Sequence, residues 1–468
     1  MKKFIVFAVA VALLVPSLAF AAAEFSLGGF IKLDTFWDST QQGKNMNGTI
    51  QRNNVGMFHH GRTVFTAQGS RFNFTIKGPK VFGAQTTGFI EMDFDSSTNQ
   101  NEATSGTASH SYIPRLRHAM FRFNWPETEL LLGQYFSMFC EWYPELVEDG
   151  PFQATGMPTA RLAQIRLTQK FLGWGTASLL IGEASNSALG QNYNGVVSTT
   201  GESAAVPQIQ GKLQYQQDLW GKAAFYGRPI PFTAQIVLGW QRSHYQQNGA
   251  LPVFSFGNDT WSNQQLVSVN HQTLDPWLAM FSTFIPVIPT HSANLAGTAS
   301  ILTQWFIGQG LDSFGFAGLT NALRFDQRNG GVLTYNYELQ KRWGGFVQGQ
   351  YYFTNQWFLT AAYGINKSFG VNNQTDGAAV TVANPVGSIY AFTADPARTM
   401  QQAEVALWFR PVQAIKFGLE YAYGATAWFQ STGASQAAAT PVAFNAAPVN
   451  TSNFGDAHRV EFVGFFYF

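Results

Sequence analysis

The chain has 468 residues, of which only 12% are charged, 15% are aromatic and 45 are glycine, against a charged fraction of about 25% in ordinary soluble domains. Its formal charge is +1, falling to −1 if Lys2 and Lys3 leave with the leader described next, which argues against nucleic acid as a partner. The single cysteine, Cys140, excludes an internal disulfide framework and a cysteine-rich metal or haem centre, and no cofactor is expected.

The first element is a leader. Met1-Lys2-Lys3 is followed by an apolar run from Phe4 to Val15 and then Pro16-Ser17-Leu18-Ala19-Phe20-Ala21, which together make a charged region, a hydrophobic region and a small-x-small cleavage site. This predicts a signal peptide over residues 1–21, removed after Ala21 with Ala23 as the alternative site. The apolar run falls short of the ~20 residues that a spanning helix needs. No later stretch reaches that length, and the mean hydropathy of −0.07 is balanced. Export without spanning helices leaves either a soluble extracytoplasmic protein or a β-barrel whose lipid-facing side chains alternate with polar ones. Scarce charge and abundant aromatics favour the barrel, with residues 22–468 as one domain.

From residue 25 onward the sequence alternates with period two in segments of about ten residues, separated by tight turns and long polar loops in turn. Strands are predicted near 25–37, 62–77, 84–95, 115–125, 128–135, 160–170, 176–184 and 208–217. Eight more are predicted near 232–242, 273–285, 297–307, 344–353, 356–367, 399–410, 414–428 and 457–468. In the second segment Phe72, Phe74 and Ile76 share one face while Arg71, Asn73, Thr75 and Lys77 share the other. The same split sets Ile90, Met92 and Phe94 against Glu91, Asp93 and Asp95, and late in the chain Ile415, Phe417, Leu419 and Tyr421 against Lys416 and Glu420.

The count is sixteen antiparallel strands, with eighteen as the alternative because residues 331–339 also have strand-like composition. An even count puts both termini on one side, with the short connections at Gly78-Pro79, Trp125-Pro126, Thr354-Asn355 and Pro411-Val412. Segments 38–61, 96–113, 185–206, 243–271, 308–343, 368–398 and 430–456 read as long loops at the other end.

Three stretches resemble the trimeric porins of Gram-negative bacteria. His458-Arg459-Val460-Glu461-Phe462-Val463-Gly464-Phe465-Phe466-Tyr467-Phe468 is similar to the closing strand whose terminal aromatic, here Phe468, such barrels present to their insertion machinery. Phe25 to Asp34 resembles a porin first strand. Gly133-Gln134-Tyr135-Phe136-Ser137-Met138-Phe139-Cys140-Glu141-Trp142-Tyr143-Pro144, running on to about Pro158, is similar to the porin loop that folds into the barrel after strand five and narrows the channel. Gly133-Gln134, Phe284-Ile285-Pro286-Val287 and Gly308-Gln309-Gly310-Leu311 also resemble the DcaP-like branch. The resemblance implies an outer-membrane location, a homotrimer, contact with lipid and lipopolysaccharide, and passive diffusion of small hydrophilic solutes.

A pore of that kind needs charged and amide groups along its lumen and a narrow point where field and bore select the solute. Charge on the lipid face costs roughly 2–4 kcal/mol for Lys or Arg at mid-bilayer. Parity therefore assigns Lys32, Asp34, Arg71, Lys77, Glu91, Asp93, Arg122, Arg166, Lys170, Lys212, Glu404, Lys416, Glu420, Arg459 and Glu461 to the lumen. Arg71, Arg122, Arg166 and Lys170 are expected to face a loop carrying Glu141, Glu145, Glu148 and Asp149, creating a transverse field that favours small anions such as carboxylates. Arg117 and Arg161 fall on the lipid parity of their strands and join this basic group only through a bulge or a position at a strand end.

Other readings remain. A lipase or protease needs a nucleophile with a base in reach, and His59, His60, His118, His244, His271, His291 and His458 have no recognisable partner signature, so no catalytic residue and no metal ligand is assigned. A secreted glycan-binding β-sandwich and a barrel sheathing an electron-transfer partner are the alternatives.

Overall fold

In the computed structural model the alternating segments pair edge to edge into one antiparallel sheet that closes on itself. The structure describes residues 23–40, 46, 50, 53, 60–95, 113–148, 150–184, 205–245, 255–256, 259–260, 272–316, 322–329, 332–371, 397–428 and 454–468. The predicted leader and Asp149 lie outside them.

Sixteen strands form the barrel. They are β1 (Glu24–Asp38), β2 (Arg62–Thr66, continued as Arg71–Val81), β3 (Ala84–Asp93), β4 (Arg115–Asn124), β5 (Thr128–Phe136), β6 (Arg161–Phe171), β7 (Gly175–Gly182) and β8 (Gln208–Phe225). The second half comprises β9 (Arg228–Trp240), β10 (Trp277–Ile288), β11 (Ala299–Gln309), β12 (Val332–Tyr352), β13 (Trp357–Val371), β14 (Ala397–Val412), β15 (Ile415–Trp428) and β16 (Phe454–Tyr467). Each strand pairs with its chain neighbour, and β16 closes on β1 with Phe30 opposite Tyr467 and Asp38 opposite Arg459. Closure leaves no sheet edge unsatisfied, which is what a spanning sheet requires.

The strand-like stretch 331–339 is the outer part of β12. It pairs with Ala322–Asn329 as a hairpin and adds no strand to the closed ring, so sixteen stands over eighteen. Two predicted turns move along the chain. Gly78-Pro79 lies inside β2, and the reversal comes at Phe82-Gly83, both with positive φ. A register shift between Lys77 and Lys80 takes Pro79, which has no N–H to give, out of the ladder. Pro411 lies inside β14, within a similar shift between Phe409 and Val412, and the chain turns at Gln413-Ala414.

The sheet is inside out relative to a soluble sandwich. Ile31, Leu33, Trp37, Val405, Leu407, Leu419, Val460, Phe462 and Phe466 are exposed on its outer face, while Lys32, Asp34, Gln402, Glu404, Glu420, Arg459 and Glu461 are buried inside. An apolar exterior around a polar interior matches a lipid surround. The interior also holds two apolar clusters. Leu146, Val147, Phe152 and Met157 meet Phe284, Leu302, Phe346, Phe358 and Trp408, and Met138 and Phe139 meet Val237, Leu278 and Phe314. In both, segment 137–160 packs against the wall from β9 to β15.

Candidate functional site

After β5 the chain turns inward because its polar groups find partners inside the barrel. The Gln210 side-chain oxygen of β8 accepts from Ser137 Oγ at 3.0 Å and from the Met138 N–H at 2.9 Å. One short 3-10 turn, Met138–Cys140, follows. Cys140 closes the neck of the inserted segment: its sulfur accepts from the Ala160 N–H at 3.1 Å and donates to the Ala160 carbonyl at 3.6 Å. Burial pushes this thiol up to about 12, which keeps the proton that the bond uses.

Three acidic residues of the segment reach the wall, each differently. Glu141 bridges two cations of the early wall, Lys212 at 2.5 Å and Arg166 at 3.3 Å. Glu145 is buried on the opposite side, bonded to Lys416 at 2.6 Å, to the Gln350 amide at 2.7 Å and to the Tyr226 N–H at 3.1 Å. Glu148 accepts from Gln402 at 2.7 Å and from the Met46 N–H, with Arg459 at 3.8 Å. Burial pushes the Glu148 carboxyl up, against the pull of Arg459. Glu420 completes the seat by accepting from the Val147 and Glu148 N–H groups at 2.7 and 3.2 Å.

The wall makes room for this segment with glycine. A Cβ on Gly364 of β13 would lie 2.5 Å from the Phe152 ring, and one on Gly418 of β15 would lie 2.8 Å from Val147. Phe152 stacks on Phe346 with ring centroids 5.8 Å apart and planes within 6°. Loop backbone and rings therefore lie directly on this wall.

The facing wall, β2 to β6, is basic. A register shift between Glu91 and Met92 gives β4 an extra residue, so Arg117 and His118 both turn inward. Arg117 then bonds Glu91 at 2.7 Å and Asp93 at 2.6 Å, and Arg115 bonds Asp93 at 2.7 Å. Arg122 lies over the Tyr135 ring at 4.9 Å with Glu129 at 3.4 Å, Arg71 lies over Phe30 at 5.3 Å, and Arg161 lies over Phe136 at 5.8 Å. The Tyr135 and Phe136 rings each lie 4.6 Å from the His118 ring, so Arg122 and Arg161 gather beside His118 with Arg117, and Arg71 also acts on it electrostatically. Lys170 is exposed near the turn that follows β6. Other inward charges also pair along the wall: Lys32 with Asp34 at 2.8 Å, and Arg459, besides its approach to Glu148, with Asp38 at 2.7 Å and Glu461 at 3.8 Å.

No family model matches the sequence, and no curated protein matches it. Solved structures do match. The outer-membrane channel DcaP of Acinetobacter baumannii superimposes with a TM-score of 0.61 at 18% identity, covering 96% of this chain and 98% of that one. The chain has the porin fold. The anion-selective porin from Comamonas acidovorans covers 95% of this chain and 100% of that one at 9% identity, with a TM-score of 0.48. Salmonella typhi OmpF in complex with daunomycin covers 95% and 97% at 10% identity, with a TM-score of 0.46.

Two features of this porin barrel escape an alternation reading. Arg342 of β12 is fully buried, and its guanidinium bonds the Asn366 side chain at 2.6 Å and the Ala397 carbonyl at 2.7 Å, steadying β12 to β14 behind the loop. Residues 218–231 read as a plain connection between β8 and β9, yet they fold back inside the barrel. The signal for this is faint: Ala223-Ala224-Phe225 is apolar where a solvent-facing turn is usually polar. Terminal Phe468 sits outside, its N–H bonded to the Gly29 carbonyl at 3.2 Å.

Proposed function

We propose that this chain is an outer-membrane porin, a passive diffusion channel for small hydrophilic solutes that favours small anions such as carboxylates. The observation that carries the reading is the gathering of Arg117, Arg122 and Arg161 about His118 and its ring neighbours Tyr135 and Phe136, with Arg71 acting on the same point. The loop acids that would balance them are largely engaged elsewhere, since Glu145 and Glu148 are buried on the far wall. A solute anion passing between the walls meets the positive field of this arginine cluster, which low-dielectric walls focus. Glu91, Asp93 and Glu141 reduce this field without cancelling it, because they also hold the guanidinium planes in place.

The same reading takes the end carrying chain termini and short turns as periplasmic, the sixteen-strand barrel as one subunit of a homotrimer in lipid and lipopolysaccharide, and Phe468 as part of the signal read by the insertion machinery. It takes Lys32, Asp34, Glu91, Asp93, Lys416, Glu420, Arg459 and Glu461 as lumen groups that shape the field from the wall. A single closed sheet with an apolar exterior does not fit the β-sandwich alternative.

Solute flux from liposomes tests this directly. Acetate and succinate should leave faster than a neutral sugar of similar size. Equal rates would remove the anion preference, and no flux of any solute would end the porin reading.

A further inference from the structure

The connection between β8 and β9 has an unusual course. β8 reaches the end of the barrel that carries the short turns and bends through Asp218–Gly221, where Asp218 accepts from the Gly221 N–H at 2.8 Å and Gly221 has φ +115°. Trp220 fixes the bend by donating to the Pro286 carbonyl at 2.7 Å. The chain then re-enters the barrel as a hairpin that pairs Lys222–Phe225 with Arg228–Pro231. Ala223 and Ala224 are buried against the wall, and Ser300 of β11 donates to the Ala224 carbonyl at 3.2 Å. Phe225 and Ile230 pack into the lumen cluster beneath the inserted loop.

The tip of this hairpin is Tyr226, followed by Gly227, both at positive φ. Two such residues make the hairpin turn whose twist suits the flanking strands, and the first position favours Asn, Asp or Gly. Phe82 at the β2–β3 turn takes the same conformation, so backbone shape alone does not single out Tyr226. Its contacts do. The Tyr226 N–H donates to Glu145 at 3.1 Å, its hydroxyl donates to the Pro144 carbonyl at 3.0 Å, and the neighbouring Phe225 ring lies 5.2 Å from Trp142. Every one of these partners belongs to the inserted loop. Yet 43% of Tyr226 stays open to solvent, with Tyr143, Tyr467 and Arg71 near enough to act on it electrostatically. The loop, the hairpin tip and the basic wall converge there.

We propose that the hairpin Lys222–Pro231 is a second constriction element, entering from the turn end, and that Tyr226 at its tip sets the bore together with the inserted loop and Arg71. The loop is thus clasped from below, and the pore has two jaws. This inference rests on the porin reading.

The buried native thiol makes the test simple, because Cys140 is inert and needs no removal. Tyr226→Cys is reconstituted in planar bilayers and treated with a negatively charged methanethiosulfonate, whose sulfenyl group forms a mixed disulfide with the thiolate as methanesulfinate leaves. Single-channel conductance should fall by about half on modification, while wild type is unmoved. Untreated Tyr226→Ala should conduct about 1.5-fold more than wild type, and Tyr226→Phe, which keeps the ring, should stay near wild type. Confirmed modification without a change in conductance, or a Tyr226→Ala channel that folds normally and conducts like wild type, would overturn the inference. A wild-type chain that forms no channel would instead overturn the porin reading.

Discussion

The two sides of the lumen are built from the same alternating strands and do opposite work. From β12 to β16 several buried inward groups bond to the inserted loop: Lys416 to Glu145, Gln402 to Glu148, and Glu420 to the backbone of Val147 and Glu148. From β2 to β5 the inward arginines are held by their own wall, Arg117 by Glu91 and Asp93, with Arg71 and Arg122 lying over Phe30 and Tyr135, and the loop reaches this side through Glu141 to Arg166 of β6. Glycine marks the difference. It lets Phe152 and Val147 touch the first wall at Gly364 and Gly418. The lesson is that a charge inside a barrel is a lumen group by parity but a solute contact only where no loop lies on it.

Mutations on the loop-holding wall should damage stability first. Glu145→Ala strands the buried Lys416 ammonium and should lower unfolding stability by about 3–5 kcal/mol, read from denaturant midpoints in detergent. Phe152→Ala should lose a similar ~3–5 kcal/mol through the cavity it leaves against Phe346. Gly364→Ala should cost about 1–3 kcal/mol by overpacking on the Phe152 ring, and a conductance rise with it would show the loop unseated. On the open wall, Arg122→Ala should cost less than about 1 kcal/mol, since its Glu129 partner is part-exposed, while still reducing anion preference. A large stability loss there would blur the two walls into one.

Glu148 gives the comparison a pH axis. Its carboxyl is pushed up in the folded chain, so the folded state holds the proton more tightly than the unfolded one. The resulting stabilisation is full below the ordinary carboxylate range and fades as pH rises through the elevated folded value. The groups that face it are Arg459, Glu404, Glu420, Gln402 and the Met46 N–H. Loop seating, followed by protection of residues 137–160 from hydrogen exchange, should weaken from acid toward neutral pH. Glu148→Gln should flatten that slope.

Much of the barrel was legible because its period is two and its exterior is lipid-like: each predicted strand lies on an observed one. The departures from the alternating pattern are local. Pro79 and Pro411 read as turns because proline breaks a ladder, but bulges excuse them. Arg117 falls on the lipid parity and needs a bulge to turn inward, and the extra residue of β4 is that bulge. The pairing of Glu145 with Lys416, 271 residues away, depends on how the loop crosses the barrel, which no local pattern encodes. The inward hairpin was hidden for a related reason, since alternation stops at Gln217 and a buried turn has no period of its own.

The most direct test of the divided lumen is the reversal potential in a salt gradient across planar bilayers, measured for wild type and for two charge reversals. Wild type should be anion-selective, and Arg71→Glu with Arg161→Glu on the open wall should turn it toward cations. A wild-type channel already selective for cations, or a double variant that folds and keeps its anion preference, would contradict the account.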